Sequence, residues 1–214
     1  MPPLTDAPWS DANDWAVPEL YLAAGMGIIP ASLEGKDFTQ PITRAEFAAV
    51  SVKLYESLSG EKATPVNPNP FTDTRDREVL KAYNAGFTAG TSETTFEPNQ
   101  LLNREQAATM LARVYKRTFF DGWSLATDAD FPLAYTRQAP FADDAAISAW
   151  AKDNVYFMAS NNIINGLGNN KFGPRNTTSA EEAANYASAT REQALLIAVR
   201  MIKNLSAAWL SGRW

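Results

Sequence analysis

Three stretches of the chain place apolar residues at helical spacing behind a capping signal. Phe47, Val50, Leu54 and Leu58 follow Thr43-Arg44-Ala45-Glu46. Ala107, Met110, Leu111 and Val114 follow Asn103-Arg104-Glu105-Gln106, and Ala194, Ile197, Met201, Ile202 and Leu205 follow Thr190-Arg191-Glu192-Gln193. This period predicts three amphipathic helices that bury one face each. The tetrapeptide before each stripe reads as a capping box, in which the first side chain accepts from the backbone three residues on and the fourth side chain reaches back. A shorter stripe, such as Val17, Leu20, Tyr21 and Ala24, predicts a first helix ahead of each, stopping at Gly25 or Gly86 as a left-handed C-terminal cap requires. Three similar amphipathic helices imply one shared bundle.

The landmarks around these helices recur in the same order. The first unit has Trp9-Ser10-Asp11, Trp15-Ala16, Gly27-Ile28-Ile29, Phe38 and Ile42-Thr43-Arg44. The second has Phe71-Thr72-Asp73, Ala85-Gly86-Phe87-Thr88-Ala89-Gly90, Phe96-Glu97-Pro98 and Leu102-Asn103-Arg104. The third has Phe141-Ala142-Asp143, Trp150-Ala151, Ile163-Ile164-Asn165-Gly166, Phe172-Gly173-Pro174 and Thr190-Arg191. The Asp-to-Arg separations are 33, 31 and 48 residues for Asp11 to Arg44, Asp73 to Arg104 and Asp143 to Arg191. The surplus in the third lies in Asn176 to Ala187 and reads as a short inserted helix capped by Ser179. The chain divides into residues 1–60, residues 61–117 with a lead-in of Pro65, Pro68 and Pro70, an aromatic linker at 118–140, and residues 141–214. The linker holds Phe119, Phe120, Trp123, Phe131 and Tyr135, too much apolar area for a free tether. The fold class is mainly α, three helix-loop-helix repeats.

Composition narrows the chemistry. The 214 residues include no cysteine and no histidine, which excludes disulfides, Cys/His zinc sites, thiol nucleophiles and imidazole-based triads. The formal net charge of −5 and the lack of any basic run argue against a nucleic-acid partner. The apolar run Ala194 to Val199 ends at Arg200, short of the ~20 residues a membrane span needs. Met1-Pro2-Pro3-Leu4-Thr5-Asp6 has no charged and then apolar start, so no signal peptide is expected in this segment. Carboxylate pairs such as Asp143-Asp144, Glu181-Glu182 and Asp128 with Asp130 read as surface solvation among 24 acidic residues. No Asp-x-Asp-x-Asp-Gly calcium loop or phosphate loop is present. A non-catalytic protein without metal or cofactor is expected.

The ordered set of an aromatic-x-Asp start, a Trp-Ala pair, a Gly-Ile-Ile turn, a Phe-x-Pro loop and an Ile-Thr-Arg-Ala-Glu helix start resembles the S-layer homology domain of bacterial surface proteins, in three tandem copies from Pro8 to Leu205. The resemblance implies a pseudo-threefold unit with a central three-helix bundle and projecting lobes. It also implies an extracellular location at the bacterial cell wall or S-layer, and binding of secondary cell-wall polysaccharide, often through a pyruvylated N-acetylmannosamine, in grooves between repeats. A longer exported protein would supply an adjoining domain. Three positions depart from the pattern: Arg77-Glu78 replaces Trp-Ala, Asn103 replaces Thr, and Pro30 stands where a Gly usually follows Ile-Ile. Each departure is expected to weaken a groove.

The residues themselves support an anionic ligand. Arg44, Arg104 and Arg191 each occupy the first helical position, where unpaired backbone N–H groups and the helix dipole favour an anion. A guanidinium grips a carboxylate through two parallel hydrogen bonds. The alternative is pairing with neighbouring acidic side chains. Trp15 and Trp150 stack on a sugar face or pack between helices. Asp11, Asp73 and Asp143 accept from sugar hydroxyls or cap the first helices. Gly27, Gly90 and Gly166 serve chain turns, or line a groove with exposed N–H groups. A different use of the chain is as a protein-binding scaffold whose linker, Phe119 to Tyr135, docks a partner.

Overall fold

Among the described residues seven α-helices follow in order: α1 (Val17–Gly25), α2 (Arg44–Ser59), α3 (Arg77–Asn84), α4 (Arg104–Phe119), α5 (Lys152–Ser160), α6 (Ser179–Ala183) and α7 (Arg191–Leu210). The structure, a computed structural model, describes residues 9, 11–136 and 139–210, the side chains of 206–210 excepted. Ser10 of the first landmark and the Met1–Asp6 start lie outside the described residues. Among those residues the only strand-type pairings are isolated bridges, so no sheet forms.

The three long helices begin as their capping boxes predict. Thr43 accepts from the N–H of Glu46, Asn103 from that of Gln106 and Thr190 from that of Gln193, while each residue at the third helical position bonds back to the cap N–H. The helices stack in a closed order. The first helix of each unit packs on the second helix of the unit before it: α3 on α2, α5 on α4, and α1 on α7. Helix α2 also packs against both α4 and α7. Its buried Ala48, Ala49 and Ser51 let neighbours approach, and the Ser51 hydroxyl satisfies itself on the Phe47 carbonyl at 2.9 Å.

The segments just before the long helices close the same ring. The backbone N–H of Arg44 bonds to Gln100 O, that of Arg104 to Ala187 O and that of Arg191 to Gln40 O, at 2.9, 3.0 and 3.0 Å. Each unit's loop phenylalanine, Phe38, Phe96 or Phe172, is fully buried beneath this ring. Burying a side chain of that size contributes about 1.5–3 kcal/mol.

Several local expectations shift. Gly25 is the last residue of α1, and the left-handed residue is Gly27, whose counterparts are Gly86 and Asn162. Helix α6 is five residues long and is capped by Thr178 rather than Ser179. The linker folds onto its own chain: Trp123 is fully buried, lies against Gly86, and donates from Nε1 to Asp128 Oδ1 at 2.7 Å. The same Asp128 oxygen accepts from the buried Lys116 at 2.8 Å. Phe119 and Phe120 pack on Tyr115, and Tyr135 stacks on Tyr156, which leaves these rings half-buried against their own chain. No helix among the described residues is long and apolar enough to cross a membrane.

Candidate glycan-binding grooves

The helix-start arginines are held by the loop of the following unit. Arg44 donates from Nε to Phe96 O at 3.0 Å and from Nη2 to Ala89 O at 3.1 Å, and its guanidinium lies 4.8 Å over the Phe96 ring. Arg104 repeats this on the third unit, donating to Phe172 O at 2.9 Å and to Asn165 O, with its guanidinium 5.0 Å over the Phe172 ring. Both side chains are buried, yet Nη1 of each has no partner among the described residues. Burial pulls the Arg44 guanidinium below its ordinary value and takes Arg104 down to about 10, which still leaves both charged at neutral pH. A cation in such a partly desolvated position attracts an anion more strongly than one in open water.

The N–H groups around these arginines are not free. Besides the ring bonds, Ala45 donates to Pro98 O, Glu105 to Pro174 O and Glu192 to Phe38 O. The helix N-termini are therefore closed by neighbouring backbone, and the anion site expected of their bare amides does not exist. What remains for a ligand is side-chain charge.

Two grooves gather that charge. The first, about 320 Å³, is lined by Arg44 of the first unit, Ala89, Gly90, Gln106 and Arg113 of the second, and Trp150 of the third. The second, about 190 Å³, is lined by Arg104 of the second unit, Asn165, Gly166, Gln193 and Arg200 of the third, and Trp15 of the first. Each thus takes a residue from all three units. Trp15 and Trp150 are 53% and 58% exposed, so core packing is not their role. Neither lining includes an acidic side chain. Two larger hollows, about 560 and 530 Å³, lie beside Tyr135 and Tyr156 and beside Tyr55 and Phe120, away from these arginines.

Arg113 and Arg200 were not among the residues singled out by sequence. Each stands nine positions after the arginine that starts its helix, with Lys53 at the matching place in α2. That recurrence, together with Gln106 and Gln193 on the same helix face, was the available signal. Neither Arg113 nor Arg200 makes a hydrogen bond or ion pair with the described residues, and burial lowers the Arg113 pKa against the attraction of Asp128.

The other expected residues divide. Gly90 and Gly166 line the grooves because a side chain would not fit: a Cβ on Gly90 would stand 2.3 Å from Ser92 O, and one on Gly166 2.6 Å from Lys171 O. Gly27 lines neither groove and supplies only its left-handed turn. Asp11, Asp73 and Asp143 neither cap a first helix nor enter the grooves. Asp11 accepts from Phe38 N–H, Asp73 from Phe96 and Glu97 N–H, and Asp143 from Phe172 and Gly173 N–H, tying each unit's opening to its own phenylalanine loop. The cap of α3 is Asp76. The Asp73 carboxyl is held below the ordinary carboxylate range by the N–H groups of Glu97 and Phe96.

The third junction differs. Arg191 donates from Nε and Nη2 to the two carboxylate oxygens of Glu46, at 3.1 and 2.8 Å, and from Nη1 to Asp37 O at 2.9 Å. Here the pairing with an acidic neighbour, which the sequence left open, is what forms.

Comparison with known proteins matches segments in two of the three units to a family. The model of the S-layer homology domain matches residues 70–108 and 140–184. The chain is 29% identical over 195 residues to an amylopullulanase of Thermoanaerobacterium thermosulfurigenes, covering 84% of this chain and 9% of that protein. It is 28% identical over 177 residues to the exoglucanase XynX of Acetivibrio thermocellus, covering 80% of this chain and 15% of that protein. An endoglucanase of Bacillus sp. (strain KSM-635) is 29% identical over 114 residues, covering 50% of this chain and 12% of that protein. The chain therefore spans a small fraction of the length of these relatives.

Proposed function

Because the chain carries S-layer homology domains, which anchor proteins to the cell wall, we propose that it is a non-catalytic module binding secondary cell-wall polysaccharide in its two arginine-lined grooves. The single observation that carries this reading is the pairing, twice over, of a half-exposed tryptophan with two arginines in a groove lined by no acid. A flat indole suits the apolar face of a sugar ring, and a guanidinium suits a carboxylate. A pyruvylated N-acetylmannosamine offers both, a ring to stack and a ketal-linked carboxylate to grip. The names of the relatives, three enzymes of polysaccharide breakdown, fit a role in holding such an enzyme at a bacterial surface, with catalysis on other domains.

The test is co-sedimentation with purified wall polysaccharide before and after chemical removal of pyruvate. Binding that falls at least tenfold on removal supports the carboxylate grip, and unchanged binding refutes it. The competing use as a protein scaffold keeps Phe119, Phe120 and Tyr135, half-buried beside the two larger hollows, and loses Trp123, which is buried.

A further inference from the structure

We propose that Glu46 is a built-in occupant of the third inter-unit junction. Its two oxygens hold Nε and Nη2 of Arg191 while Asp37 O holds Nη1, so this guanidinium offers no nitrogen of the kind that Nη1 offers on Arg44 and Arg104, and the chain therefore holds two anionic sugars rather than three. This rests on the anionic-groove reading above and deepens it.

The three helix starts share a cap and an arginine and then differ at two positions: Ala45 stands where the others have Glu105 and Glu192, whose buried carboxylates accept from Ser148 and Asn13, and the next residue differs in charge. The residue two after the arginine is Gln106 in α4 and Gln193 in α7, both neutral and both lining a groove, whereas in α2 it is Glu46. All three serve as the return member of a capping box, so their placement is fixed by the helix and not by a ligand. Only the glutamate carries charge, and it uses it: both oxygens face the Arg191 fork, and the remaining nitrogen is taken by Asp37 O. Arg44 and Arg104 keep one nitrogen without a partner among the described residues, whereas Arg191 keeps none.

The pair is also hard to displace. The arginine and glutamate side chains are 12% and 11% exposed, and an incoming carboxylate would have to leave Glu46 charged and unpaired in that setting. The matching departure lies opposite in sequence order: Arg77 stands where Trp15 and Trp150 stand in their units, so the third junction lacks its indole as well.

The decisive variant is Glu46→Gln, which installs the residue found at positions 106 and 193 and keeps the capping oxygen. The probe is the methyl glycoside of pyruvylated N-acetylmannosamine, titrated calorimetrically. Wild type is expected to bind two equivalents and Glu46→Gln three, the third about tenfold weaker for want of a tryptophan. The double variant Glu46→Gln/Arg77→Trp brings the third site toward the other two. The Arg191 side-chain NMR signals shift with sugar only in the variants. Three equivalents in wild type, or two in both variants with the Arg191 signals unmoved, overturns the proposal while the anionic-groove reading stands. No binding by wild type overturns that reading and this proposal with it.

Discussion

The guanidinium of Arg104 lies over the ring of Phe172 at 5.0 Å and donates to the carbonyl of the same residue at 2.9 Å. One residue of the third unit thus grips the first residue of α4 by ring face and by backbone together. Arg44 and Phe96 repeat the arrangement between the first and second units. A helix-start arginine is consequently a staple between units before it is a ligand-binding group.

Removing that staple carries a stability cost. Arg104→Ala deletes two charge-assisted bonds and leaves the carbonyls of Phe172 and Asn165 unpaired, a loss of about 3 kcal/mol. For a chain of this size the melting temperature should fall by about 6–12 °C. Arg104→Lys should recover little of it, because one ammonium does not span both carbonyls or stack as a plane. A thermal melt of the two variants checks this; an unchanged melting temperature for Arg104→Ala would show that the staple carries no weight.

Acid should loosen the second unit through Asp73. Its folded-state pKa is depressed, first by the N–H of Glu97 and then by that of Phe96, so its contribution is fully present above the unfolded value of ~3.9 and is lost as pH falls through the folded one. The melting temperatures of wild type and Asp73→Asn should differ most at neutral pH and converge below about pH 4. A gap that stays constant to about pH 2.5 would contradict the assignment.

How much of this was legible in the sequence follows from range. The capping boxes at Thr43, Asn103 and Thr190 are interactions within four residues, and all three formed as read. The bonds of Asp73 to Phe96 and Glu97 cross a loop of more than twenty residues, so the aspartate looked like a local cap. Trp15 and Trp150 were ambiguous because their exposure depends on which unit lies beside them, and that is set by the ring order of the helices. The Asn165-Gly166 pair is a strong local turn signal, yet the left-handed residue is Asn162, aligned with Gly27 and Gly86 at the end of each first helix. Arg113 and Arg200 were missed because net charge and charge runs conceal single cations that only a helix face aligns.

Two glycines should respond oppositely to one methyl group. Gly90→Ala drives a Cβ into the carbonyls of Ser92 and Thr95, at 2.3 and 2.8 Å, and should cost about 1–3 kcal/mol while narrowing the first groove. Gly25 ends α1 in helical backbone with nothing within 4 Å of its Cβ direction, so Gly25→Ala should stabilise by about 0.5–1 kcal/mol. Chemical denaturation of both variants tests the pair, and the same sign for both would refute the reading of these turns.

Binding and stability should separate at the groove walls. Trp15 and Trp150 are more than half exposed, and Arg113 and Arg200 bond to no described residue, so alanine at any of the four should change stability by only about 0.5 kcal/mol. Affinity for a pyruvylated saccharide should nonetheless fall by about tenfold or more at the groove affected, since each change removes either a stacking face or a charge held close to the ligand. The two losses are of different kinds. Those at Arg113 and Arg200 should shrink as salt rises and screens the ion pair, whereas those at Trp15 and Trp150 should not. Calorimetric titration at two ionic strengths resolves them, and the grooves should fail one at a time: Trp150→Ala and Arg113→Ala at the first, Trp15→Ala and Arg200→Ala at the second. A single substitution that abolished both sites would mean that the grooves are not separate, and affinity unchanged by all four would place the glycan elsewhere on the molecule.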